Sequence, residues 1–75
     1  MDIKEFIKNF AGEFDETPLE MFTPDTDYKS LDEWNSLTSL SLVAMVDEVY
    51  HKTITSADLR NHTTIAEIAE FVENK

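Results

Sequence analysis

The chain has no cysteine, one glycine, two prolines and only six basic side chains in 75 residues. Without cysteine there are no disulfides and no thiolate metal ligands, and any thioester chemistry needs an imported thiol. Scarce glycine and proline leave helices few interruptions. Six Lys and Arg against sixteen Asp and Glu give a formal net charge of −10, the wrong sign for nucleic acid or an anionic membrane surface. No apolar stretch approaches membrane-spanning length. The start Met1-Asp2-Ile3-Lys4-Glu5 lacks the basic residues and apolar run of a signal peptide. The expectation is a cytoplasmic, monomeric protein forming a single domain over residues 1–75, with basic protein patches as the natural partners of its surface.

What is present reads as helix. Hydrophobic residues make up 41% of the chain, enough for one small core. Ile3, Phe6, Ile7, Phe10 and Phe14 recur at helical spacing and predict a first helix over residues 2–14. A long connection from Asp15 to Asn35 follows, with Pro18, Pro24 and the turn-prone Thr23-Pro24-Asp25-Thr26-Asp27. So long a segment without a regular element implies a loop packed by its own side chains. Leu19, Met21, Phe22, Tyr28, Leu31 and Trp34 are available to pin it.

The second helix is expected to start at Asn35 or Ser36, both good caps, and to run to about Tyr50. Apolar residues surround much of its circumference, which predicts a helix enclosed by other elements. Ser56 is expected to cap a short piece, Ala57 to Asn61, and Thr64-Ile65-Ala66-Glu67 reads as a capping box opening the last helix. Ile65, Ile68, Ala69 and Val72 form that helix's apolar face.

Few residues invite covalent chemistry. No acid–base or nucleophile–base constellation is visible, so the chain does not read as an enzyme. His51 lies beyond Ser36 by about 22 Å along a helix, too far for a Ser–His pair. Asp25-Thr26-Asp27 begins like a calcium loop, but Lys29, Ser30 and Ser36 stand where that loop needs a ligand, a glycine and a glutamate. Trp34-Asn35-Ser36-Leu37, at the head of the longest helix, is different. Ser36 there offers a hydroxyl where backbone N–H groups and the helix dipole favour a phosphate.

This segment, taken with helix two closing in Val46-Asp47-Glu48-Val49-Tyr50, the β-like Lys52-Thr53-Ile54 and the Thr-Thr-Ile-Ala-Glu-Ile start of the last helix, resembles the acyl carrier protein family over essentially the whole chain. The resemblance implies an all-α four-helix bundle of acyl-carrier type, with three longer helices, one short helix and a long first loop. It places covalent 4′-phosphopantetheine on Ser36, with Asn35 and Leu37 as the flanking motif and Leu37 packing the start of helix two. Asn35 stands where the family usually has aspartate, a loss of one charge at the point that engages the modifying enzyme.

By the same resemblance, an acyl cargo is held as a thioester and presented to enzymes of a fatty-acid, polyketide or related pathway. The implied partners are a phosphopantetheinyl transferase and acyl-activating, condensing or transferring enzymes with basic docking patches. Asp32, Glu33, Asp47 and Glu48 are the candidate docking acids. Val43, Met45, Val46, Ile54, Ile65, Ile68 and Ala69 are candidates for an acyl cleft, and plain core is the competing reading. Two alternatives stay open: an aminoacyl or peptidyl carrier, and an unmodified acidic helical adaptor in which Ser36 is only a cap.

Overall fold

Asp2 opens the first helix, α1 (Ile3–Ala11), by accepting the Lys4 N–H at 2.9 Å, as a residue with a short side-chain acceptor does at an N-cap. The computed structural model describes all 75 residues and places three further helices after it: α2 (Ser36–Tyr50), α3 (Ser56–Asn61) and α4 (Ile65–Glu73). The fold is thus the expected all-α arrangement of three longer helices and one short one. α1 packs on α2 and α4, and α3 packs on α2.

α1 is shorter than its periodicity predicts. It ends at Ala11, where Gly12 removes helix propensity and the chain tightens into Glu13 N–H to Phe10 and Phe14 N–H to Ala11 bonds. Phe14 is still buried, because the tight turn swings it back under the helix.

The long connection contains two single 3₁₀ turns, Leu19–Met21 and Tyr28–Ser30. Aromatic packing holds it. Phe10 lies 6.4 Å from Phe22 and 5.5 Å from Tyr28 by ring centroids, and Tyr28 lies 5.1 Å from Trp34. Each such pair contributes about 0.5–1.5 kcal/mol beyond its area burial. Leu31 packs against the same core, whereas Leu19 and Met21 are 56% and 53% exposed and do not pin the loop.

The connection also serves α4. The first N–H groups of a helix have no partner within it. Here the Pro24 carbonyl accepts from Ala66 and the Thr26 carbonyl from Ile65, while Thr64 and Glu67 complete the expected capping box. An isolated antiparallel bridge joins Asp27 to Thr64. The β-like Lys52-Thr53-Ile54 forms no strand; it is an irregular segment that buries Ile54. α3 is capped by Thr55 in a capping box with Asp58, one residue before the expected Ser56.

α2 is not enclosed. Ser39, Leu42, Met45 and Val46 face the core, but Leu37, Leu40 and Val49 are 74%, 58% and 44% exposed. α1 and α3 cover only part of its circumference, so the helix buries one face of its apolar surface and presents another to solvent. Leu37, expected to pack the helix start, points outward.

Tyr28 ties the loop to the far side of the bundle. Fully buried, it donates to the Leu59 and His62 carbonyls at 2.5 and 3.1 Å. Burial first, then the Glu67 and Asp27 carboxylates, pushes its phenol up, so it stays a neutral donor at ordinary pH. Tyr28→Phe leaves both carbonyls without this donor and is expected to lower stability by about 1–3 kcal/mol. Urea unfolding followed by helical circular dichroism measures this; an unchanged midpoint would show that water replaces the hydroxyl at no cost.

Candidate functional site

Asn35, not Ser36, caps α2. Its backbone is extended (φ −159°, ψ −176°), its Oδ1 accepts the Thr38 N–H at 3.0 Å and its carbonyl accepts the Ser39 N–H at 3.0 Å. Thr38 Oγ1 in turn donates to the Glu33 carbonyl at 2.7 Å, which fixes the chain entering the helix. Ser36 is therefore the first helical residue. It is exposed, and its hydroxyl makes no hydrogen bond with the protein. The Ser36 and Leu37 N–H groups also lack protein acceptors.

Beside Ser36 opens a cavity of about 330 Å³, lined by Trp34, Asn35, Ser36, Ser39 and Leu40 and, from α3, by Ser56 and Arg60. Ser39 is the buried polar residue of the chain, and its Oγ lies 3.2 Å from Ser56 Oγ. This hydroxyl pair fastens α3 to α2 next to the exposed serine. The site thus combines a free hydroxyl, two free backbone donors and an arginine, a set suited to an anionic substituent on Ser36.

A family model described as "Phosphopantetheine attachment site" matches residues 5–72. The chain belongs to this family. No curated protein and no solved structure matched it. Members of this carrier family bear covalent 4′-phosphopantetheine and work with partner enzymes, so the chain is a phosphopantetheine carrier protein. The residues around Ser36 fit the group, since its phosphodiester needs a hydroxyl to attach to and donors to face, and both are present.

The candidate acids separate. Asp32, Asp47 and Glu48 are exposed and make no hydrogen bonds through their side chains. Helical geometry places Asp47 and Glu48 on the same side of α2 as Ser36, Leu37, Leu40 and Ala44, about 18 Å along the axis at most. Glu33 is engaged within the fold. Its carboxylate accepts the Asp15 and Glu16 N–H groups, each at 3.0 Å, and both the N–H and the hydroxyl of Thr17. It clasps the start of the long loop to the residue pair just before Asn35.

The seven cleft candidates form packed core. Met45, Val46, Ile54, Ile65, Ile68 and Ala69 are buried and Val43 packs against them. None lines the cavity beside Ser36. Met45 alone also edges a groove between α1 and α2, together with Lys8, Asn9 and Glu48. Arg60, Ser39 and Ser56 are site residues that the sequence did not mark, because their link to Ser36 runs through the packing of α3 on α2 and leaves no local pattern.

The Glu33 clasp has a pH signature. Hydrogen bonding, led by the Thr17 hydroxyl and opposed by desolvation, holds its carboxyl below the ordinary 4.5. A carboxyl depressed by folding stabilises the protein above its unfolded pKa, and that contribution is lost as pH falls through the folded value. Glu33→Gln is expected to be less stable than the parent at neutral pH, with the gap closing as pH falls below the ordinary 4.5 and through the depressed folded value. Denaturant melts across a pH series measure the gap. A gap that does not change with pH would show that the carboxylate charge plays no part.

Proposed function

We propose that this carrier protein takes its phosphopantetheine on Ser36 and presents acyl cargo to the enzymes of a fatty-acid, polyketide or related pathway, contributing no catalysis of its own. The observation that supports the assignment is the Ser36 hydroxyl itself: exposed, without a protein partner, and one residue inside a capped helix. When bound, the group supplies a distal thiol that holds cargo as a thioester.

The remaining tasks fall to the chain. Asn35 fixes the helix start, so Ser36 Oγ is held outward for a transferase. The free Ser36 and Leu37 N–H groups, at the positive end of the α2 dipole, favour the negative charge by about 0.3–1 kcal/mol at an exposed position. The outward face of α2 presents Leu37 and Leu40 beside Ser36, with Asp47 and Glu48 further along, to partners bearing apolar and basic patches. The packed core gives cargo no preformed tunnel, which favours presentation outside the bundle.

Incubation with coenzyme A and a broad-specificity transferase is expected to add the mass of one phosphopantetheine to the parent and none to Ser36→Ala. A Ser36→Ala protein that still gains the mass would move the site to another serine. Because Asn35 carries the cap, Ser36→Ala is expected to leave the melting temperature unchanged or slightly raised, alanine being the better helix former.

Docking through the α2 acids makes a kinetic prediction. Asp47→Lys/Glu48→Lys is expected to lower the transferase kcat/KM at low salt and flatten its salt dependence, since exposed interfacial charges act mainly on encounter. Both acids lie in the last turn, where the dipole disfavours them, so helicity should hold or rise. Superimposable salt curves for the two proteins would assign these acids to an ordinary solvated surface.

A further inference from the structure

Arg60 is the chain's only arginine. It lies on α3, exposed, with a guanidinium that forms no salt bridge or hydrogen bond within a protein of sixteen carboxylates. Its backbone carbonyl accepts from Lys29 Nζ at 2.7 Å. Packing fixes where the side chain is displayed. Leu59 beside it is fully buried, and Ser56, one turn earlier on the same α3 face, is pinned by the Ser39 hydroxyl. Ser56 and Arg60 then form the α3 wall of the cavity whose α2 wall holds Ser36.

We propose that Arg60 is the phosphate-holding residue of the attached arm: its guanidinium donates to the phosphodiester oxygens carried on Ser36, and it lays the root of the arm against the α2–α3 face. This rests on the attachment of the group at Ser36. The planar fork of an arginine matches a phosphate's paired oxygens, and it is weakly enough hydrated to be held there. The Ser36 and Leu37 N–H groups address the phosphate from the α2 side, so Arg60 closes the opposite side. An exposed ion pair contributes little to stability, so the consequence is orientation: the arm leaves the bundle along α3 instead of sampling every direction from Ser36.

A single arginine makes the test direct, because a ¹⁵N-labelled sample gives one Nε–H resonance. The parent and Arg60→Gln are converted fully to the loaded form with coenzyme A and a broad-specificity transferase, with completion and the Ser36 location checked by intact mass and peptide mapping. The expected result is a shift of the Nε–H resonance on loading, and a ³¹P resonance of the arm that differs between the parent and Arg60→Gln. Arg60→Lys is expected to restore part of the ³¹P difference, as a point charge without the fork. Unchanged backbone amide shifts away from α2 and α3 serve as the folding control. With the group confirmed on Ser36, an unmoved Nε–H resonance and identical ³¹P shifts overturn this proposal and leave the attachment standing. Loading at a different serine overturns both.

Discussion

The rest of the structure depends on how the connection between α1 and α2 satisfies its own backbone. A segment with no ladder must find partners for its N–H and C=O groups elsewhere. Short turns within the segment supply many of them, and two of its side chains add longer ties. Tyr28 reaches across to the carbonyls that end α3, and Glu33 gathers three successive N–H groups at the start of the loop. In return, the loop carbonyls of Pro24 and Thr26 complete the start of α4. The loop is therefore a structural element shared among the helices. It also sets the angle at which the chain enters α2, because Trp34 packs at a tilt against Tyr28 and the Glu33 carbonyl holds Thr38.

That entry angle decides what α2 shows to solvent. Its buried face is narrow, with one polar member, Ser39, satisfied by Ser56. Its outward face carries Leu37 and Leu40 immediately beside Ser36. Single exposed leucines are ordinary, but two successive turns of them next to a chemically free serine leave apolar area that the fold itself does not use. A carrier that works with partner enzymes has a reason to keep such area uncovered.

Features governed by neighbours in sequence were legible from the sequence. The Thr64–Glu67 box, the periodic face of α1 and the start of α2 all depend on contacts within four residues. Errors arose where two local choices were nearly equal. Thr55 and Ser56 are adjacent hydroxyl residues and either can cap, and only the Asp58 carboxylate, reaching back to Thr55, decides. The orientation of α2 was hidden for a different reason: with apolar residues at nearly every phase, its pattern does not say which side is buried, and Leu37 was placed inward. The role of Glu33 and the position of Arg60 depend on residues far along the chain, so no window of sequence displays them. Ser36 stood out only through the joint pattern of Trp34-Asn35-Ser36-Leu37 with the segments that follow it; that its hydroxyl has no partner became visible only in the structure.

The placement of Trp34 carries a practical consequence. It is the chain's one tryptophan; its half-buried indole lies near the Tyr28 ring and forms part of the wall next to Ser36. Indole emission responds to the polarity and motion of whatever touches it. With excitation selective for indole over the two tyrosines, a group seated against that wall is read through the emission of the single tryptophan. The fold thus carries its own optical reporter of events at the head of α2, readable without a label or an added dye.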